Sequence, residues 1–322
     1  MLIKLDKVDR RILFELDKNA RIPETRLAKI VGKSKESVRY RIKQLQQKKV
    51  ITGYTVWVDP TKLGYHSAKI YLTLANKPKQ KKAFVNDVIQ DKRLFWLGVA
   101  EGAWNAGLTY FVKSNREFFD LKNELFSKYK DLILESHTGM LVNVEVKDRI
   151  YYHKANTCWN PLFGTPEQLT LDDVEKKILK VLFGNARESV VSIAHQAGVS
   201  VDIVRRRIKR LEDDRVIFKY HTDVDYHKTG HDLYKTFLYF SNLTKKDERK
   251  LMEFTRKLKP VIFMVKQISP WDIELESMCE SHEEYRKMLN SLTEEFADSI
   301  NKVETAIVGE DYIWPSKEMI LK

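Results

Sequence analysis

The sequence predicts an α+β chain in which two winged helix-turn-helix domains alternate with two βαββαβ, ferredoxin-like domains. Three observations predict it: an internal repeat offset by 166 residues, a helix, glycine turn and helix opening each copy, and the strand and helix order that follows. Leu5-Asp6-Lys7-Val8-Asp9-Arg10-Arg11-Ile12-Leu13 returns as Leu171-Asp172-Asp173-Val174-Glu175-Lys176-Lys177-Ile178-Leu179, Asn19-Ala20-Arg21 as Asn185-Ala186-Arg187, and Gly32 and Ser34 as Gly198 and Ser200. Solenoid repeats run to roughly 20–50 residues, so a period this long is a duplicated domain pair.

The first 50 residues predict three short helices. Asp6 and Asp9 form a box-like N-terminus, after which Val8, Ile12, Leu13 and Leu16 recur at helical spacing up to Asn19-Ala20-Arg21. Pro23 suits the first turn of a second helix with the apolar face Leu27, Ile30 and Val31, and Gly32 ends it. Ser34 then caps a third helix that turns Val38, Ile42 and Leu45 inward. Residues 51–59 alternate like a short strand pair and are expected to form the wing.

After the wing the pattern changes. Strands are expected at 68–75, 95–100, 106–112 and 141–146, with helices at 79–90 and 115–129; the second copy restates this at 234–240, 245–258, 261–268, 273–279, 283–296 and 303–308. Ser281 with Glu284 predicts a capping box for the last helix. The expected domains are 1–60, 66–150, 169–226 and 232–312, joined by a linker at 151–168. That linker mixes prolines and a glycine with aromatic residues, which predicts a connector packed against a domain rather than a loose tether.

Composition narrows the function. The net charge is +12, but residues 1–50 hold 15 Lys/Arg against 6 Asp/Glu, residues 171–220 hold 11 against 8, and the remainder balances at 31 against 31. Positive charge concentrated in two matching segments is what a polyanion-binding surface requires, so double-stranded DNA is the expected partner. Two distant cysteines, Cys158 and Cys279, and unclustered histidines predict neither a disulfide framework nor a metal site, and no cofactor is expected. The apolar runs are too short for a membrane span, and residues 1–4 lead into a charged helix rather than a signal peptide, so a cytoplasmic, nucleoid-associated protein is expected.

These motifs resemble the Lrp/AsnC family of prokaryotic transcription regulators. The likeness rests on Leu5-Asp6-x-x-Asp9-x-x-Ile12-Leu13, the Arg21 loop, Leu27-Ala28 with Gly32-x-Ser34, the Val38-Arg39-Tyr40-Arg41-Ile42 helix, Val50-Ile51-x-Gly53-Tyr54 and Leu63-Gly64, most of them echoed in the second copy. Family members usually carry one copy and pair through their ferredoxin-like domains. The resemblance therefore implies a regulator dimer written as one polypeptide, self-associating through those domains within the chain or as a homodimer.

The second helix of a helix-turn-helix lies in the major groove with its N-terminal part on base edges. Lys33, Ser34, Lys35, Ser37, Arg39, Tyr40, Lys43 and Lys48 are the DNA-contact candidates of the first copy, and Ser200, Asp202, Arg205, Arg206 and Lys209 those of the second. Arg39, Tyr40, Arg205 and Arg206 are placed to read bases, whereas Arg41 and Arg207 lie nearer the buried stripe and are expected to pair structurally or reach a phosphate rather than read a base. Lys33, Lys35, Lys48 and Lys49 are phosphate candidates, and Val199, Val201, Asp214 and Arg215 stand in their places in the second copy, so the two copies are expected to bind unequally.

The resemblance also implies an effector loop, a Gly-x-x-Asp turn near which amino-acid ligands bind in several members. Gly102-Ala103-Trp104-Asn105 keeps its glycine but not its acid, and Ser269-Pro270-Trp271-Asp272 keeps the acid but not the glycine. The effector candidates are Gly102, Trp104, Asn105, Ser269, Trp271 and Asp272, with the tryptophans equally suited to filling an interface. Two other readings stand beside the regulator. One is a low-specificity architectural DNA-binding protein. The other is an enzyme: siroheme decarboxylases share the plan in fused form, but their His-Asn-Tyr-type motif is replaced here by Leu94-Phe95-Trp96-Leu97 and Val261-Ile262-Phe263-Met264. No catalytic residues are assigned and a non-enzyme is expected.

Overall fold

The computed structural model describes residues 2–155, 157–164, 166–313 and 321; Met1 at the head of the first expected domain and Asn156 and Thr165 of the expected linker lie outside the described residues. In chain order the elements are α1 (Lys7–Lys18), α2 (Glu24–Val31), α3 (Lys35–Gln47), β1 (Ile51–Val58), β2 (His66–Leu74), α4 (Pro78–Val88), β3 (Leu94–Gly102), β4 (Ala106–Val112), α5 (Asn115–Lys128), β5 (Ile133–Val146) and a short β6 (Asn160–Leu162). The second half follows with α6 (Asp173–Gly184), α7 (Val190–Ala197), α8 (Val201–Asp213), β7 (Ile217–Val224), β8 (Asp232–Phe240), α9 (Lys245–Lys257), β9 (Val261–Ile268), β10 (Ile273–Cys279), α10 (His282–Glu295) and β11 (Ile300–Ile313).

The local signals act where expected, with three exceptions. Asp6 and Asp9 make a reciprocal capping box, as do Asp172 and Glu175. Pro23 stands one position before its helix, and Ile30 of the expected apolar face is exposed while Ala28 is buried in its stead. At α10 the box is not reciprocal: Ser281 Oγ accepts from Glu284 N, but the Glu284 carboxylate accepts from Glu280 N, one residue too early.

The wing is the largest departure. Instead of a strand pair inside each copy, β1 pairs antiparallel with β7 of the other half, joining the two helix-turn-helix units through one ribbon. Thr55 faces His221, its own counterpart 166 residues on, so a pseudo-twofold axis passes between them. A single strand of eight residues has no partner within its own copy, and the equivalent strand of the other copy supplies the missing hydrogen bonds. Each ribbon strand also covers the first helix of the opposite unit: Thr222 Oγ1 donates to Leu16 O (2.9 Å) and Thr55 Oγ1 to Phe183 O (3.2 Å).

The βαββαβ segments close on each other in the same way. The order β2-β4-β3-β11-β8-β10-β9-β5 returns to β2, because β5 and β11 are twice the expected length and each serves both halves. Residues 133–140 of β5 pair with β2 and residues 140–146 with β9; residues 300–308 of β11 pair with β8 and residues 306–313 with β3. Closure removes the edge strands that an open sheet would leave. The two sandwiches thus pair within the chain. The linker is packed, as its composition predicts: Tyr151 and Tyr152 are buried, β6 adds to β5, and Trp159 Nε1 donates to Met252 O (3.0 Å).

Between the two halves of this closed sheet lies a mixed core. Tyr71, Trp104, Trp271 and Phe237 meet with ring centroids 4.6–6.4 Å apart. Beside them sits a fully buried carboxylate, Glu274, that accepts from Lys235 Nζ (2.7 Å), Lys69 Nζ (2.9 Å), Tyr71 Oη (2.5 Å) and Gln267 Nε2 (3.3 Å). Lys235 also donates to Glu276 (2.5 Å) and lies over the Trp96 ring. The halves differ here. The first-half counterpart of Glu274 is Gly107, where an added Cβ would meet Trp96 at 2.9 Å.

Candidate nucleic-acid interface

The same local devices place both recognition helices. Gly32 and Gly198 take left-handed φ values of 64° and 71°, which an L side chain rarely adopts, and so allow the sharp turn out of α2 and α7. Ser34 Oγ accepts from Ser37 N (3.1 Å) and Ser200 Oγ from Ile203 N (3.4 Å), starting α3 and α8. Val38, Ile42 and Leu45, and likewise Val204, Ile208 and Leu211, are buried beneath.

The opposite face is open. Lys33, Ser34, Lys35, Arg39, Tyr40, Lys43 and Lys48 are exposed in the first unit, Tyr40 at 62 %, and Ser37 is half-buried. Ser200, Asp202, Arg205, Arg206 and Lys209 are exposed in the second. Arg39 donates to Glu24 through Nε (3.0 Å) and Nη2 (2.9 Å), which holds its side chain along the α2–α3 surface. Arg205 pairs with Asp202 (3.1 Å). Among the described residues Lys33, Lys35, Lys43, Lys48, Arg206 and Lys209 have no acidic partner, four in the first unit and two in the second.

Arg41 and Arg207 are committed to the fold. Arg41 bridges Asp6 and Asp9 at 2.7 Å each, and Arg207 meets Asp172 at 2.6 Å, so each ties its recognition helix to the cap of the first helix. The Arg21 loop belongs to the dyad. Arg21 Nη1 donates to Ala186 O and Arg187 Nη1 to Ala20 O, both at 2.6 Å, while each guanidinium covers the other half's tyrosine, Tyr220 or Tyr54. Sequence reasoning gave these two arginines no role. Their identical place in both copies was the available signal, and only the cross-strand ribbon gives them partners.

A second junction joins this head to the closed sheet. Asp17 of α1 is buried among Arg149 (3.4 Å), Lys219 (3.1 Å) and His221 (3.7 Å). Burial raises the carboxyl pKa, yet the Lys219 and Arg149 charges outweigh it and hold Asp17 down at about 2. His221 is driven well below the usual imidazole range by burial and by Arg149, so it is neutral.

The effector-loop residues are occupied by the fold. Asn105 Oδ1 accepts from Leu74 N and Asp272 Oδ2 from Phe240 N, both at 2.8 Å, so Asn and Asp do the same task in the two halves. Trp104 and Trp271 fill the core between the two halves of the closed sheet. Ser269 Oγ donates to Trp271 O (2.6 Å), and Gly102, at φ +116°, lies where a Cβ would stand 2.4 Å from Thr305 O.

Beneath the ribbon is a cavity of about 770 Å³. Trp57 and His221 of the ribbon form its roof, Phe95, Phe111, Phe163 and Phe263 its walls, and Lys69, Lys235 and Glu276 its floor. Neither repeat alone signals it, because its walls come from both halves. Among the described residues no group of His, Cys, Asp and Glu could hold a metal ion, and no helix is long and apolar enough to cross a membrane.

Comparison with known proteins agrees with this architecture. The AsnC-type helix-turn-helix domain matches residues 5–46 and again 171–212. The HTH-type transcriptional regulator LrpA of Pyrococcus abyssi is 49% identical over 61 residues, 19% of this chain and 43% of that protein. The proline dehydrogenase transcriptional activator of Rhodobacter capsulatus is 43% identical over 77 residues, 24% of this chain and 50% of that protein. The chain thus spans half or less of the length of these relatives, whereas an uncharacterised HTH-type transcriptional regulator of Pyrococcus furiosus aligns at 26% identity over 44% of this chain and 94% of its own. Among solved structures, the siroheme decarboxylase NirDL superposes with a TM-score of 0.65 at 14% identity, covering 98% of this chain and 97% of that one; at such identity the likeness is one of fold. Each half thus carries an AsnC-type helix-turn-helix domain followed by a βαββαβ segment, a tandem-duplicated arrangement similar to Lrp/AsnC-type regulators.

Proposed function

We propose that the protein is a sequence-specific, double-stranded-DNA-binding transcription regulator that works as an internal pseudo-dimer with unequal recognition helices. One observation carries this reading: two exposed, cationic recognition helices are held about a single pseudo-dyad by the β1–β7 ribbon and the paired Arg21 and Arg187 contacts. Lys33, Lys35, Lys43 and Lys48 supply phosphate contacts. Arg39 and Tyr40, with Arg205, Arg206 and Lys209, face base edges, and Ser37 and Asp202 flank them. An amino-acid effector at the Gly102–Asn105 and Ser269–Asp272 loops would meet side chains already engaged in the fold, so that part of the regulator plan has the least support here.

Selection from random DNA at two salt concentrations tests the reading. The expected result is an imperfect palindrome with unlike half-sites, and a salt slope of around −5 if about six phosphates are contacted. A low-specificity architectural protein would return no motif, and that result would overturn the proposal. A second reading, a siroheme-decarboxylase-like enzyme, draws on the large cavity within a shared fold. The acidic Glu310 and Asp311 lining that cavity oppose a polycarboxylate tetrapyrrole. Retention of a visible-light-absorbing pigment after incubation with siroheme and desalting would favour it; a colourless protein would sink it.

A further inference from the structure

The cavity beneath the ribbon lies apart from the DNA-contact candidates, and its volume of about 770 Å³ falls within the range of small-molecule sites, roughly 300–1,000 Å³. Its walls are aromatic, and Lys69, Lys235 and Glu276 stand together at its floor, an arrangement that can orient a ligand by one end. Glu274, just behind the floor, is saturated by Lys69, Lys235, Tyr71 and Gln267. Two ammonium groups therefore share one buried carboxylate. Lys235 has a second hydrogen-bonded acid, Glu276 at 2.5 Å, whereas among the described residues Lys69 hydrogen-bonds to one carboxylate, Glu274. The titration behaviour reflects the difference: burial lowers Lys69 despite Glu274, while Lys235 is raised against its burial by Glu274 and Glu276 together. Lys69, Lys235 and Glu276 thus make up the floor, while Arg149, Asp223, Asp225, Glu310 and Asp311 lie elsewhere on the lining.

We propose that this cavity binds a largely apolar, aromatic-bodied molecule carrying a single carboxylate, seated with the carboxylate at Lys69 Nζ and the body among Phe95, Phe111, Phe163 and Phe263. The ligand carboxylate does for Lys69 what Glu276 does for Lys235. Glu310 and Asp311 elsewhere on the lining limit the ligand to one negative charge.

Fluorescence titration of the full chain, without DNA, compares 1-pyrenebutyrate with its neutral analogue 1-pyrenebutanol, so the outcome is independent of the DNA reading. The acid should bind at least about tenfold more tightly, the effect of one charge-assisted hydrogen bond. Lys69→Met, which leaves Glu274 paired with Lys235, should remove that advantage and leave the alcohol unchanged. Val144→Trp, which fills the cavity from β5, should expel both probes. Equal binding of acid and alcohol to the unaltered protein, or binding of neither, overturns the proposal without reference to any variant's folding. So does an advantage for the acid that survives Lys69→Met in a variant whose circular dichroism and melting match the parent.

Discussion

The two halves of this protein have nearly the same backbone and different chemistry. Both helix-turn-helix units start with an aspartate capping box, turn at a left-handed glycine, begin the recognition helix on a serine and tie it down with an arginine. Yet around α3 the first unit exposes Lys33, Lys35, Lys43, Lys48 and Lys49, none with an acidic partner among the described residues, where the second exposes Arg206, Lys209 and Arg215. The sheets repeat the lesson, since Lys69 and its counterpart Lys235 both bind Glu274 of the second half, whereas the first-half counterpart of Glu274 is Gly107, packed against Trp96. A homodimer must carry every surface twice. Fusing the halves lets each keep the packing that the shared fold needs while its exposed or interface positions diverge.

Breaking the inequality in the core should have the largest effect. Glu274→Met strands Lys69, leaves Lys235 to Glu276 alone, and should cost about 3–5 kcal/mol in urea unfolding, the usual consequence of leaving a buried charge without a partner. A loss under about 1 kcal/mol would mean that the charged half is not held together by this carboxylate. Next is the DNA face. Replacing Lys33, Lys35, Lys43 and Lys48 by Gln should flatten the salt slope by about 3.6 and weaken DNA binding by on the order of 10²- to 10³-fold, whereas replacing Arg206 and Lys209 should flatten it by about 1.8. Equal losses from the two sets, measured by fluorescence anisotropy, would erase the distinction between the units.

Acid should find the second half first. His231 and His221 occupy the places of Tyr65 and Thr55, and both are buried. Burial lowers His231 to about 4, with Glu280 opposing the shift and Arg10 and Lys259 assisting it, and burial also holds His221 low. The unfolded chain protonates these rings below about pH 6.5 while the folded chain does not, so their contribution is complete above pH 6.5 and is lost as pH falls toward 4. Denaturant titrations at pH 7 and 4.5 should show a loss of up to about 3 kcal/mol from His231, and His231→Gln should flatten that profile; an unchanged profile would show that this histidine is not the acid-labile group. The smallest effect expected is at single DNA contacts. Lys35→Ala should weaken binding on all sequences alike, while Arg39→Ala should also relax specificity at one base pair by about 1–2 kcal/mol in competition assays. Equal losses on specific and random DNA would remove Arg39 from base reading.

Much of each repeat was legible because its signals are local. A side-chain oxygen reaching a backbone N–H three residues away, a glycine free to take positive φ, and apolar residues at helical spacing act within one or two turns. Asp6 with Asp9, Gly32, and Val38 with Ile42 and Leu45 are of this kind. Ile30 misled because periodicity marks a face without saying how much of it the neighbours cover. The DNA face was visible in charge placement, whereas the Asn105 and Asp272 contacts were not, since an acceptor side chain looks the same whether it awaits a ligand or caps a neighbouring strand.

The sequence by itself determined that there are two copies of one unit, which helices and strands each contains, and where the surplus positive charge falls. Tertiary structure decided that β1 finds its partner in β7 rather than in its own wing, that β5 and β11 run on to close one sheet around both halves, and that a cavity opens beneath their ribbon. Strand pairing is a contact between residues far apart in the chain, and two near-identical copies offer equivalent partners within and across the repeat. The pattern of either copy alone cannot choose between them; the choice rests on which arrangement pairs the strands' backbone groups and covers the apolar faces.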